Sequence, residues 1–392
     1  MRVLAACSLG GAGHLGPLLP FLAAAQRRGE ETLVTGPPAL REMVELAGYE
    51  FRAGGEPPEE LVAPIRERLP VVPPLEASVL GNRELFGRLA TGAMLPGMEE
   101  VCRRWAPDLV LRDPCEYASA VVAGRLGISV AQVAVSLAQA EAASIAVAAP
   151  ALEEHRKGLV EELLASPYLT RFPALLDPSS FTTTMRFREP APPPRPARSD
   201  ERDSSTPFLY MTFGTVLGHM SIAAEVYRTA LQAVGPLDVR VLLTVGPVFD
   251  RSLLGPVPAN VCVEAWVDQD EVLDRAEAVV CHGGSGTAFG AMAAGVPVVV
   301  VPVFADQFEN GRRIAAAGAG LVVEAEPGSA HSDGSRRVVD ARDVPRITRA
   351  IDDVLSEPSY RRRARAMASE IAAAPTVDVV LDTLLGASRG GG

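Results

Sequence analysis

The sequence predicts an α/β protein built of two doubly wound parallel-sheet domains. Three observations predict it. A length of 392 residues is enough for two or three domains at ~100–200 residues each. Short apolar runs alternate with segments of helical spacing in both halves of the chain. A proline-rich stretch at 186–207 separates the two series.

Residues 2–7 form the first apolar run, and a glycine-rich turn follows. The segment 15–28 then carries apolar residues at helical spacing, and Thr32-Leu33-Val34-Thr35 resumes as a strand, which makes a β-α-β opening. The alternation continues through Asp108-Leu109-Val110-Leu111, a helical 116–126 and the strand 129–133, as expected of a parallel sheet covered on both faces. The intervening 56–100 is rich in proline and reads as broken helix in a long insertion. Pro190, Pro192, Pro193, Pro194 and Pro196, with a charged stretch to Asp203, read as an extended linker. A second series starts at Phe208-Leu209-Tyr210-Met211-Thr212 and continues through 239–245, 261–264, 278–281 and 297–303. The expected division is a first domain over 1–190, a linker over 191–206, a second domain over 207–375, and a tail over 376–392.

A net charge of -11 and a pI near 5.1 argue against a nucleic-acid partner, whose binding draws on phosphate neutralisation. Lys157 is the only lysine among 37 basic side chains. Cys7, Cys102, Cys115, Cys262 and Cys281 have no C-x-x-C spacing, so neither a zinc knuckle nor a disulfide framework is suggested. Val3-Leu4-Ala5-Ala6-Cys7 resembles a lipoprotein cleavage box, yet only two residues precede it, too few for a signal peptide. Apolar runs such as 296–303 fall far short of the ~20 residues of a membrane span. The expectation is a soluble cytoplasmic protein, monomer or homodimer, with no membrane partner.

Five stretches carry chemistry. In Gly10-Gly11-Ala12-Gly13-His14-Leu15-Gly16-Pro17, glycines 11, 13 and 16 spell G-x-G-x-x-G, with Glu30 and Glu31 placed as ribose-binding acids. Pro17 fits a first helical turn and leaves His14 at the carboxyl end of the first strand, where open α/β sheets bind ligands. A histidine there is either catalytic or structural. Cys281-His282-Gly283-Gly284-Ser285-Gly286-Thr287 joins a strand to a helix, and its amides and hydroxyls suit a diphosphate. It lacks the lysine of a P-loop, and its alternative reading is a tight turn without ligand. Asp306 and Gln307, after the strand-like run to Val303, could hold vicinal hydroxyls or simply cap a helix. Finally, Phe213-Gly214-Thr215 follows the first strand of the second half, and Trp266-Val267-Asp268-Gln269 offers an indole that could stack on a base or lie in the core.

In this order the stretches resemble the inverting GT-B glycosyltransferases of natural products, and the antibiotic (macrolide, enediyne and polyketide) glycosyltransferases in particular. The resemblance rests on G-H-x-x-P at 13–17, Gly214-Thr215, Trp266 to Gln269, H-G-G-x-G-T at 282–287, and Asp306-Gln307. It implies the GT-B fold, two Rossmann-like domains facing a central cleft, with helices over 357–386 and the tail over 376–392 crossing back to brace the first domain. It also implies that His14 takes the acceptor proton while Asp113, in Leu111-Arg112-Asp113-Pro114, holds the imidazole. The acceptor oxygen then displaces the nucleotide from the anomeric carbon with inversion. By the same resemblance Gly214, Thr215, Trp266, Val267, Gln269, His282, Gly284, Ser285, Gly286, Thr287, Asp306 and Gln307 bind the donor. No cofactor is implied beyond the nucleotide-sugar co-substrate, and no metal.

Two positions depart from the family pattern. Asp268 stands where a proline is usual, and Gly290 where UDP-glucose users often carry a ribose-binding glutamate. The second departure favours a dTDP-linked deoxysugar over a UDP-sugar. Leu85, Phe86, Met94, Leu95, Met98 and Phe172, in the variable 56–100 and 136–185 segments, suggest a hydrophobic acceptor such as a polyketide or else are ordinary core, with Gly13, Phe86, Met94 and Phe304 as contact candidates. The competing expectations are a nucleotide-sugar epimerase, an NAD-dependent oxidoreductase using glycines 11, 13 and 16, and a silent partner of another transferase.

Overall fold

The computed structural model describes residues 1–9, 11–69, 72–189, 206–325 and 338–390. The predicted linker, apart from Thr206, lies outside them. Two compact units result, one holding 1–189 and 374–390 of the described residues, the other 206–325 and 338–373.

The first unit carries a seven-stranded, wholly parallel sheet in the order β3-β2-β1-β4-β5-β6-β7. Its strands are β1 (Arg2–Ala6), β2 (Glu31–Gly36), β3 (Phe51–Ala53), β4 (Leu109–Arg112), β5 (Ser129–Val133), β6 (Tyr168–Thr170) and β7 (Thr184–Arg186). Both faces of β1 are buried. Val3 and Ala5 pack with Phe21, Leu22 and Leu381, while Leu4 and Ala6 pack with Met94, Met98 and Val110. That two-sided burial is why the run is continuously apolar rather than alternating. The order reverses between β1 and β4, and in their register Ala6 faces Arg112. The residues just beyond, Cys7-Ser8 and Asp113, are therefore side by side at a topological switch point.

The second unit repeats the plan with six parallel strands in the order β10-β9-β8-β11-β12-β13. They are β8 (Phe208–Thr212), β9 (Arg240–Thr244), β10 (Val261–Glu264), β11 (Ala278–Cys281), β12 (Val298–Val300) and β13 (Gly320–Val322). Here the reversal lies between β8 and β11, where Cys281 faces Thr212. Gly214 and His282 are thus neighbours just beyond the strand ends.

Two expectations need correction. The 56–100 segment is not broken helix throughout, because from Pro74 to Trp105 the chain runs on as consecutive helical segments, Val79–Ala90 among them with the wider i→i+5 winding. The helices over 357–386 do not act together. Pro358–Ala373 stays in the second unit against Ser285–Ala293, and only Val377–Gly390 packs in the first unit, on Leu19–Arg27. Among the described residues no helix is long and apolar enough to cross a membrane.

Candidate active site

His14 lies in a single helical turn, Ala12–Leu15, that leaves β1 through Gly11 in the left-handed region at φ 60°. Its Nδ1 is 3.0 Å from Oδ1 of Asp113, and its side chain is 19% exposed whereas Asp113 is wholly buried. The backbone amides of Ser8 and Cys115 also donate to the Asp113 carboxylate. Burial alone would raise the Asp113 pKa, but the charge and hydrogen bond of His14, with those two amides, outweigh it and hold the group below its usual range. A carboxylate only accepts, so it keeps the imidazole proton on Nδ1 and leaves Nε2 with its lone pair. Phe86 stacks beside the ring, with centroids 6.1 Å apart.

Cys115 brings a third ligand-type atom to the dyad, since His14, Asp113 and Cys115 each offer one within 4.8 Å of the others. Nothing in the cysteine spacing foretold that grouping. Burial, and then the nearby Asp113 charge, raise the Cys115 thiol well above its ordinary pKa.

The turn carrying Asp113 rests on a polar network that the sequence reading missed. Arg112 is fully buried, and one guanidinium nitrogen donates to the carbonyls of Asp113, Pro114 and Glu116 at 2.7–3.2 Å while the other donates to Gln132. Gln132 donates onward to Glu141, which also accepts the amides of Val135 and Ser136. Burial pushes Glu116 up to about 7 and Glu141 up to about 8, against the opposing hydrogen bonds of Ser119 and of Ser136 and Val135 respectively. The available signal was an arginine closing the apolar run 109–111, a costly residue to bury without several acceptors.

The acceptor candidates divide. Phe86 reaches His14, and Gly13 is exposed near it in sequence. Met94 and Met98 are core, 3% and 0% exposed, and a Cβ on Gly54 would press on the Met94 sulfur at 2.6 Å; Phe172 is also buried. Their helical spacing marked a buried face, not a pocket. Phe304 lies in the second unit against its core. The G-x-G-x-x-G reading also fails on geometry. The third glycine of a dinucleotide turn serves close helix–strand packing, whereas a Cβ at Gly16 would meet nothing within 4 Å.

In the second unit the imidazole of His282 fills the space between two glycines. A Cβ on Gly214, whose φ is +75°, would lie 2.8 Å from Nε2, and one on Gly284 would lie 2.4 Å away. Burial pushes His282 down to about 4, against the pull of the Asp306 charge, so the ring is neutral near pH 7. Helix Ser285–Ala293 follows, with Gly284 at its cap and no side chain capping it, and its first intrahelical bond is donated by Ala288. The amides of 285–287 thus precede the hydrogen-bonded ladder, a geometry that suits an anion.

The polar residues around this turn are partly committed to holding it. Ser285 Oγ donates to Asp306 at 3.1 Å, and buried Asn310 donates to the Gly283 carbonyl and to Asp306. Gln307 Oε1 accepts the amides of Val303 and Phe304, and its side chain is 3% exposed. Between them Ala305 adopts φ +55°, a strained value for a residue with a Cβ. Thr215 is exposed and Thr287 is buried. Trp266 is 69% exposed at the end of β10, outside any core. Asp268, in the usual proline position, caps helix Gln269–Leu273 by accepting the amides of Asp270 and Glu271. The Gln269 amide occupies the space above Gly290, 2.8 Å from where a Cβ would stand.

Comparison with known proteins identifies the family. Models of the erythromycin biosynthesis protein CIII-like family match both halves, the N-terminal domain over residues 24–182 and the C-terminal domain over 228–386. The chain is 31% identical to the L-demethylnoviosyl transferase of Streptomyces niveus, over 99% of each chain. It is also 31% identical to the elloramycin glycosyltransferase ElmGT of Streptomyces olivaceus, over 96% of this chain and 94% of that one. Among solved structures, glycosyltransferase VinC in complex with dTDP superposes with a TM-score of 0.75 at 20% identity, over the whole of both chains. None of these favours an epimerase or an oxidoreductase. The chain belongs to the erythromycin biosynthesis protein CIII-like family of antibiotic glycosyltransferases and is a glycosyltransferase of the GT-B fold.

Proposed function

We propose that the chain transfers a deoxysugar from a dTDP-linked donor to a hydroxyl of a hydrophobic small molecule, with inversion at the anomeric carbon and without a metal cofactor. The observation that carries this reading is the 3.0 Å contact between His14 Nδ1 and the buried Asp113 carboxylate, which leaves Nε2 to act as the base. The acceptor proton passes to Nε2, the acceptor oxygen forms its bond to the anomeric carbon, and the nucleoside diphosphate leaves with the bonding pair. Asp113 stabilises the imidazolium so formed. The amides of 285–287 and His282 take up the growing charge of the leaving diphosphate, and the indole of Trp266 stacks on the base. Gly13 and Phe86 contact the acceptor beside the base.

The donor preference rests on Gly290. It presents no acid to a ribose diol, and the Gln269 amide fills the space above it. The relatives named for demethylnoviosyl and elloramycin chemistry, and the dTDP complex of VinC, support a nucleotide-sugar donor and a natural-product acceptor. Calorimetric titration with dTDP and UDP, followed by NMR of the anomeric configuration of the product, tests the reading. Tighter dTDP binding and an inverted product are expected; tighter UDP binding overturns the donor class, and a retained configuration overturns the mechanism.

A further inference from the structure

The juxtaposition of an imidazole, a carboxylate and a thiol around one point is more than a general base needs. We propose that His14, Asp113 and Cys115 bind one thiophilic divalent cation of the Zn2+ type, and that the bound cation arrests transfer. The arrest, though not the binding, rests on the reading of His14 as the base.

The donor set selects the class of ion. Imidazole and thiolate with a single carboxylate oxygen suit Zn2+ or Co2+, whereas Mg2+ and Ca2+ require mostly oxygen ligands. Three protein ligands leave a fourth, water-filled position in a tetrahedral site. With bonds of about 2.0–2.3 Å, tetrahedral ligands stand about 3.3–3.8 Å apart. Atoms already within 4.8 Å of one another have only about 1–1.5 Å to close. The turn is prefolded for it, because the Cys115 amide already donates to Asp113 Oδ1 at 2.7 Å. His14 is partly exposed, which gives the cation a way in.

On binding, Cys115 releases its thiol proton to solvent and no group changes oxidation state. One thiolate and one carboxylate balance the dication. With Nδ1 on the metal, the remaining ring proton resides on Nε2, which then cannot accept one from the acceptor hydroxyl.

Titration of the whole protein with Co2+ tests the site, because a cobalt–thiolate bond has a near-ultraviolet charge-transfer band. Wild type and Cys262→Ser, which lacks the exposed cysteine, should develop the band at one ion per chain. Cys115→Ser should lose it and bind Zn2+ at least ~10-fold more weakly, the scale on which even supporting residues affect metal affinity. Zn2+ should stop transfer in wild type, and a chelator should restore it. Absence of the band, or its persistence in Cys115→Ser, overturns the site. A band that depends on Cys115, together with undiminished transfer in the metal-loaded protein, confirms the site and overturns the role of His14 as base.

Discussion

Replacing Asp113 by Asn separates the charge of the dyad from its geometry. Oδ1 of Asp113 accepts from His14 Nδ1 and the Cys115 amide, and Oδ2 accepts from the Ser8 amide. An Asn whose Nδ2 stands in the Oδ1 position opposes His14 Nδ1 and the Cys115 amide, whereas in the Oδ2 position it opposes one backbone amide, that of Ser8. The second orientation is favoured by about 1–3 kcal/mol, the cost of one further unsatisfied buried group. It keeps an oxygen on His14, so the tautomer survives and only the charge is removed. At an effective dielectric constant of about 20 and a charge separation of about 4 Å, that charge stabilises an imidazolium by about 4 kcal/mol. Turnover of Asp113→Asn should therefore fall ~10³-fold, at about 1.4 kcal/mol per tenfold. Stability should fall by about 1–3 kcal/mol through the stranded Ser8 amide. The assay is kcat from initial rates of dTDP release at saturating donor and acceptor, with urea unfolding and dTDP calorimetry in parallel. A kcat within twofold of wild type, or an intact kcat with weakened dTDP binding, refutes the argument.

Other consequences follow from residues around the two strand-end turns. Trp266→Ala should weaken dTDP binding by about 1–3 kcal/mol, the usual worth of a base–aromatic stack, while leaving Tm nearly unchanged because the indole is 69% exposed; wild-type affinity in calorimetry contradicts the stacking role. Gly284→Ala places a methyl 2.4 Å from His282 Nε2 and must displace the ring; dTDP affinity should fall at least ~10-fold with about 1–3 kcal/mol of overpacking, and unchanged affinity removes His282 from the donor site. Glu141, pushed up to about 8, binds a proton in the folded state that it has lost in the unfolded one above about pH 4.5. Its stabilising contribution is complete at the acid end and is lost as pH rises through about 8. Between about pH 5.5 and 8.5 the Tm of wild type should therefore drop more than that of Glu141→Gln, and parallel curves contradict this.

The fold was legible where burial on both faces wrote continuous apolar runs, as in 208–212 and 278–281, which are strands with those bounds. The strands at 51–53, 168–170, 184–186 and 320–322 were not, because three residues carry no period and their pairing is supplied by neighbours distant in sequence. His14 and the 282–287 turn could be found because glycines and polar letters interrupt apolar strands at their carboxyl ends. Asp113 looks from the sequence like any turn aspartate, and its partnership with His14 depends on the parallel register that sets Ala6 against Arg112. The Arg112–Gln132–Glu141 network was hidden for the same reason, since Arg112 ends β4 while Gln132 lies in β5 and Glu141 in the helix after it. Phe86 and Met94 show the remaining limit. Both sit at helical spacing in one helical run, and only the packing separates the ring beside His14 from the sulfur under Gly54.

The base role of His14 is tested most directly by His14→Ala, with transfer and dTDP affinity measured on the same preparation. A ~10²–10⁴-fold loss of turnover is expected, the range of a lost general base, with the dTDP dissociation constant unchanged. Undiminished turnover, or a loss explained by weakened dTDP binding, would contradict it.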